Sequence, residues 1–540
     1  MSGAYSFEVA LLIGAGVLLA AVAAVRFSSR IGLPSLLVYL ALGMLIGESG
    51  FGIEFENATL TRTLGLCALV LIIAEGGLSA RWSSLKPVLP AAIALSTVGV
   101  FISTAVVGLV VHLLLGVSLH SGLLLGAVLS STDAAAVFST LRWLRLKPKL
   151  MATLEAESGM NDAPAVILVV LLATPSLAGV HWATETGLIA YELVIGAALG
   201  LLVGLAGAWT LRRAALPAAG LYPLAAVGLT VLAYAAGVVV HGSGFLAVYV
   251  AGVILGNSRL PHRQAILGFA DGLAWLAQIG LFVMLGLLVS PARLPGALIP
   301  ALVIGLTLLL LARPISVAVS LLPFTTRFRA RTIRADETRE TAIAGTPHER
   351  RRRGRPRHLR YERFGRRDLA FLSWAGLRGA VPIVLATIPL SEAVPGATAL
   401  FDAVFVLVVI FTLAQTGTLA PVARWLRVTS PAEPTELRVE TAPLERMQAD
   451  LLQLEIPVGS QLAGVHLDEL RLPVGAVVTL VLRGGEGFVP HEQTRLRAGD
   501  SMLIVATDEV RDATLRRLRE VGKAGRLARW IAGNSGKTDD

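Results

Sequence analysis

Long apolar runs alternate with short polar connections along most of this chain. The runs fall at about 7–25, 33–49, 63–80, 88–115, 120–140, 152–174, 185–211, 219–241, 243–257, 263–290, 297–322, 368–390 and 398–424. A helix crosses a hydrocarbon core in about 20 apolar residues. The pattern therefore predicts an α-helical polytopic membrane protein with about 13 spans, some of them short or tilted. The connections alternate too. One set is basic, with "RFSSR" (26–30), "RWSSLK" (81–86), "LRWLRLKPK" (141–149) and "SRLPHR" (258–263); the other is acidic or neutral, with "ESGFGIEFEN" (48–57) and "SEAVPGA" (391–397). Basic loops stay in the cytoplasm. The N-terminus is then expected outside and the C-terminus inside, and an odd span number agrees. The first residues lack a basic n-region and a clear cleavage site, so they read as a first span and not as a signal peptide.

Parity adds more. Spans 1–6 start outside and spans 8–13 start inside, which fits two inverted six-helix repeats joined by span 7. Span 5 then corresponds to span 12. Span 5 carries "SSTDAAA" (130–136), with Thr132 and Asp133 in mid-span, and span 12 carries "GLRGAVP" (376–382), with Arg378 between two glycines. Polar, Gly- or Pro-interrupted stretches at matching places predict a pair of crossed broken helices at mid-membrane. Opposite charges on Asp133 and Arg378 would compensate the helix ends that meet there.

The sixth span carries the chemistry. Its "ESGMNDAPAV" (157–166) holds Glu157, Ser158, Asn161 and Asp162. A charge at mid-bilayer costs about 2.5–3.5 kcal/mol even on the lenient insertion scale. Ser158 and Asp162 are i,i+4 neighbours on one face, as are Glu157 and Asn161 on another. Glu157 and Asp162 lie about 140° apart around the helix, so they need not serve one ligand. Arg313, in "LLLLARPISV" (308–317), is a matching internal cation. A Glu157–Arg313 structural ion pair leaves Asp162 with no basic partner assigned from the sequence. A desolvated carboxylate either protonates or captures a cation. That competition makes an exchanger, with oxygens of Thr132, Ser158 and Asp162 as a hard-ligand shell for a monovalent K+ or Na+ ion. One carboxylate serving one proton or one cation implies electroneutral exchange.

Composition refines this picture. The chain has 540 residues, is 54% hydrophobic and carries a formal net charge of +10. The basic residues flank apolar runs, so they point to membrane lipids and not to nucleic acid. The single cysteine, Cys67, excludes an intrachain disulfide. We assign 1–428 to the membrane domain, with 325–367 as a basic, disordered cytoplasmic loop, 429–444 to a linker, 445–522 to a small α+β domain, and 523–540 to a basic, disordered tail. In that domain 451–457, 475–483 and 501–507 read as strands, and 462–470 and 509–521 as helices. No GxGxxG follows a strand, and "RGGEG" (483–487) reads as a hairpin turn.

Taken together, "ESGMNDAPAV", "STDAAA", "ARPISV" and "WAGLRGAVP" resemble the monovalent cation:proton antiporter-1 family over about residues 7–425. The resemblance implies a homodimer of thirteen-helix protomers, each with a mobile core. It implies that Asn161 and Asp162 form the site that carries cation or proton, that Glu157 pairs with Arg313, and that Thr132, Asp133 and Arg378 lie at the helix crossing. Glu75, in "AEGGLSA", matches an acid near the cation path of some relatives. Gln278, a polar residue inside span 10, is a further candidate for that path. The tail is similar to the C-terminal domain of RCK potassium-regulatory modules (TrkA-C-like). That combination implies alternating-access K+/H+ exchange at the cell membrane, serving pH homeostasis, with a small-molecule effector of the tail, no cofactor and no enzymatic activity. Na+/H+ exchange is the alternative within the class. An RCK-regulated cation channel is the alternative outside it, though no TVGYG-like filter occurs.

Overall fold

The structure is a computed structural model. It describes residues 2–31, 34–47, 57–132, 146–174, 182–325, 363–376, 379–429, 438–444, 449–457, 459–507 and 509–524. The chain divides into two compact units, Met1–Thr429 and Ser430–Asp540.

The first unit is helical. Its helices are α1 (Ser2–Ile31), α2 (Ser35–Ile46), α3 (Ala58–Ser79), α4 (Trp82–Leu85), α5 (Leu89–Ser96), α6 (Val98–Leu115), α7 (Leu119–Val128), α8 (Pro148–Leu172), α9 (Trp182–Arg213), α10 (Leu221–Val239), α11 (Gly244–Asn257), α12 (Arg263–Leu288), α13 (Leu294–Thr307), α14 (Arg313–Leu321), α15 (Arg366–Trp374), α16 (Ala380–Ser391) and α17 (Ala397–Trp425). Among the described residues, seven helices are long and apolar enough to cross a membrane, and five further apolar helices are shorter. That measure does not yield the thirteen spans expected. It passes over α8, because Glu155, Glu157 and Asp162 crowd charge into one stretch. The helix that breaks the hydropathy rule is buried instead, with Leu154, Ala156, Ala163, Ala165 and Val169 in the core.

Four of the expected spans depart from a regular α-helix, and two of them, spans 5 and 12, are the pair expected to be broken. The 88–115 span breaks at Thr97, whose ψ of −78° separates α5 from α6. The 297–322 span holds a π-turn, Leu308–Ala312, immediately before Arg313; such widened turns frequently mark functional sites. The 120–140 span leaves helical geometry after Val128, and the 368–390 span is split between Trp374 and Ala380. Spans 5 and 12, which correspond in the two halves, both leave helical geometry within the span. The loop expected at 325–367 lies mostly outside the described residues, but its ends meet: Thr325 pairs with Phe364 in a parallel bridge.

The second unit holds one five-stranded sheet in the order β1-β2-β5-β3-β4. Its strands are β1 (Arg438–Leu444), β2 (Ala449–Glu455), β3 (Ala476–Arg483), β4 (Glu486–Phe488) and β5 (Ser501–Thr507), and its helices are α18 (Leu467–Leu470) and α19 (Arg511–Ala524). Every pairing is antiparallel. Two expectations are corrected. The stretch read as a linker supplies edge strand β1, and the helix expected over 462–470 is confined to its last four residues. The Gly484–Gly485 pair makes the hairpin turn, with φ of 60° and 92°, values that favour glycine at both central positions. Leu452, Leu454, Val481, Met502 and Ile504 of the sheet pack with Leu518 and Val521 of α19.

One carboxylate inside this unit is buried. Asp500, 1% exposed at its side chain, takes two hydrogen bonds from the Arg483 guanidinium at 2.9 and 2.7 Å and one from the Arg497 backbone N–H at 2.8 Å. Burial opposes its charge, but these donors outweigh burial and hold the carboxyl below its usual range.

Candidate functional site

The site forms where the interrupted end of α7 meets the middle of α8. Ser and Thr side chains compete with the backbone for hydrogen bonds, and "SST" at 130–132 ends α7 in that way. Ser130 Oγ donates to the Ala127 carbonyl at 2.7 Å. Ser131 and Thr132 follow outside the helix, and Thr132 presents its carbonyl and its hydroxyl to α8. Ser158 Oγ donates to the Thr132 carbonyl at 2.6 Å, and Asn161 Nδ2 donates to Thr132 Oγ1 at 2.5 Å. Ser131 Oγ donates to Asp162 Oδ1. Ser131, Thr132, Ser158, Asn161 and Asp162 are all at most 3% exposed. Asn161 Oδ1 is buried and accepts no hydrogen bond among the described residues. Asn161 therefore joins the Ser158 and Asp162 side of the helix, not the Glu157 side that i,i+4 spacing suggested, because Thr132 draws it there. Asp162 lies about 21 Å along the axis from the start of α8, a little past its middle.

Glu157 faces another way. Arg313 donates from both terminal nitrogens to the two Glu157 oxygens, Nη2 to Oε2 at 2.8 Å and Nη1 to Oε1. Its Nε reaches the Leu372 carbonyl at 3.3 Å, at the end of α15. A Cβ on Gly376 would stand 2.6 Å from Arg313 Nε, so only glycine leaves room for the guanidinium at this break. The Ser96 hydroxyl, beside the Thr97 break, donates to the Glu157 carbonyl at 3.0 Å. Interruptions of α5/α6, α13/α14 and α15/α16 thus converge on one ion pair.

Asp133 and Arg378 lie outside the described residues. Glu75 is half-buried and lines a cavity of about 190 Å3 with Ser79, Arg81, Arg263, Leu267, Ala270 and Asp271. That lining includes none of the residues around Asp162. Gln278 is half-buried on α12 and takes part in none of the hydrogen bonds described around Asp162.

Sequence reasoning missed several participants. Ser131 was passed over for Thr132, though both belong to the polar "SST" step. Gly376 and the Leu372 carbonyl become visible only once the break in span 12 is placed. Asp368, 3% exposed, anchors Lys149 and Lys147 at 2.7 and 3.3 Å and so fixes the start of α8 against α15. A lone Asp opening an apolar run was the available signal.

Helices interrupted at corresponding places in two halves, meeting at buried polar groups, define a secondary transporter. The chain belongs to the sodium/hydrogen exchanger family: the family's transmembrane model matches residues 17–425, and a TrkA-C domain model matches residues 451–519. The chain is 36% identical over 498 residues to the K(+)/H(+) antiporter NhaP of Alkalimonas amylolytica, covering 90% of this chain and 79% of that protein. It is 34% identical over 528 residues to the K(+)/H(+) antiporter NhaP2 of Shewanella oneidensis, covering 96% and 85%. The fold is that of the sodium proton antiporter MjNhaP1 from Methanocaldococcus jannaschii, with a TM-score of 0.61 at 21% identity over 78% of this chain and 99% of that one.

Proposed function

We propose that this chain exchanges K+ for H+ across the cell membrane, electroneutrally and by alternating access, with Asp162 binding either ion in competition. One arrangement carries the reading. Asp162 is buried at mid-length of α8 and accepts from the Ser131 hydroxyl, beside the polar step that ends α7. A desolvated carboxylate favours a proton or a bound cation. The acceptors nearby are oxygens, from Thr132, Ser158 and the Asn161 amide. Hard oxygen ligands suit an alkali cation. Potassium is preferred to sodium because the relatives that match most of the chain are named K(+)/H(+) antiporters.

The wider proposal keeps the N-terminus outside and the C-terminus cytoplasmic. It also keeps a homodimer, Asp133–Arg378 charge compensation at the crossing, and a small-molecule effector for the β1–β5 domain. Asp162→Asn in proteoliposomes under a pH gradient tests the core of it. Cation-driven proton flux should vanish while thermal unfolding is unchanged; retained flux would overturn the assignment. Titration with K+ and then Na+ across pH 6–9 decides between the two ions.

A further inference from the structure

Glu155 stands one step along α8 from the proposed ion site, and the exchange reading makes no use of it. Residues 155, 158 and 162 are spaced i, i+3, i+7, so Glu155, Ser158 and Asp162 form one stripe on the helix. The Glu155 side chain is half-buried and makes no hydrogen bond or ion pair among the described residues. The charges that act on it are Glu75, across on α3, and Arg81.

Between Glu155 and Asp162 lies the ring of Tyr249, from α11. A Cβ on Gly159 would stand 2.2 Å from Tyr249 Cε2 and 2.7 Å from Cζ, so the phenol lies flat against the α8 backbone. Tyr249 is 5% exposed, and its hydroxyl has no hydrogen-bond partner among the described residues. A buried hydroxyl left unsatisfied among its neighbours is costly, a sign that something else uses it. The phenol lies within the field of Glu155. Helices α3, α8 and α11 pack on one another here. The Tyr249 carbonyl lies 2.8 Å from where a Gly77 Cβ would be, two residues after Glu75. Glu75 in turn lines the 190 Å3 cavity. At about 30 Å3 per water molecule, such a cavity holds an ion with part of its hydration shell.

We propose that Glu155 and the Tyr249 hydroxyl form a waiting site for a monovalent alkali cation, fed from the Glu75 cavity and separated from Asp162 by the Tyr249 ring. Glu155 supplies the charge, and the phenol oxygen supplies a neutral lone pair. Gly159 lets the ring act as the partition. The proposal rests on the exchange reading for its ion but not for its geometry.

The test uses the full chain in proteoliposomes. Glu155→Gln should raise the half-saturating K+ concentration about fivefold, with the rate at saturating K+ within about twofold of the parent, since binding and not turnover is lost. Tyr249→Phe should raise it about threefold, and Glu155→Asp should stay near the parent. A merely structural role predicts loss of thermal stability without this split. The purified chain should also be stabilised by K+ against heat. That stabilisation should persist in Asp162→Asn and disappear in Asp162→Asn combined with Glu155→Gln. Unchanged half-saturation in both Glu155→Gln and Tyr249→Phe overturns the waiting site. If Glu155→Gln does not fold, Tyr249→Phe decides by the same measure. Full exchange by Asp162→Asn would instead sink the carrier assignment, a separate outcome.

Discussion

Arg313 holds both carboxylate oxygens of Glu157, and the pair is almost completely buried, at 4% and 2% exposure. Taking one member away leaves the other charged in a dry interior, at a cost of about 3–5 kcal/mol. Glu157→Ala should therefore lower the thermal unfolding temperature of the purified protein by many degrees. A Glu157→Met, Arg313→Met double variant should recover much of that loss, because neither charge then remains. Equal melting of parent and Glu157→Ala would show that the pair is not what holds these helix interruptions together.

Gly376→Ala tests the same pair from the other side. Its Cβ would press on Arg313 Nε at 2.6 Å, and overpacking of this kind costs about 1–3 kcal/mol. The loss should shrink when Arg313 is already replaced by Met. Additive losses measured by thermal unfolding would mean that Gly376 acts elsewhere.

Ser131→Ala removes the hydroxyl that donates to Asp162. Hydrogen bonds to charged groups contribute about 1.5–3 kcal/mol. The half-saturating K+ concentration should rise about tenfold, and Ser131→Thr should restore it in part. Exchange kinetics of Ser131→Ala indistinguishable from the parent would remove Ser131 from the site.

The span pattern and the site were not equally legible. Burial of Glu157, Asp162 and Arg313 could be argued from the cost of charge in an apolar run, because that cost acts on each residue alone. The Thr97 break and the π-turn before Arg313 could not. They lie where α6 and α14 pack on each other, a relationship that no local period encodes. Ser131 was hidden for a related reason: whether Ser131 or Thr132 faces Asp162 depends on where α7 ends, and boundaries are the weakest part of any sequence reading. Strand β1 escaped because an edge strand needs only one partner and little hydrophobic alternation.

Gly159→Ala makes a sharp prediction for the α8–α11 contact. The added methyl would lie 2.2 Å from the Tyr249 ring, so ring or helix must move. Destabilisation of about 1–3 kcal/mol is expected, together with slower exchange. The loss caused by Gly159→Ala should shrink when Tyr249 is already replaced by Ala, because the ring it presses on is gone. Losses that simply add in the double variant would mean that the two residues are not in contact.

The C-terminal unit gives a prediction with a defined sign in pH. Asp500 is held below its usual range by Arg483 and the Arg497 N–H against the opposing effect of burial. A depressed carboxyl adds stability that is present above its unfolded value, about 3.9, and that fades as pH falls through the folded value. Arg483→Ala should destabilise this unit at pH 7 by about 2 kcal/mol, below the range for a fully buried pair because the Arg483 side chain is 30% exposed. In the intact protein that loss should appear as roughly thirtyfold faster amide exchange in β3 and β5. The difference between parent and variant should narrow as pH is lowered from 5 towards 3, since protonated Asp500 has little left to lose. A difference that widens in acid would mean that Arg483 stabilises the sheet by some route other than Asp500.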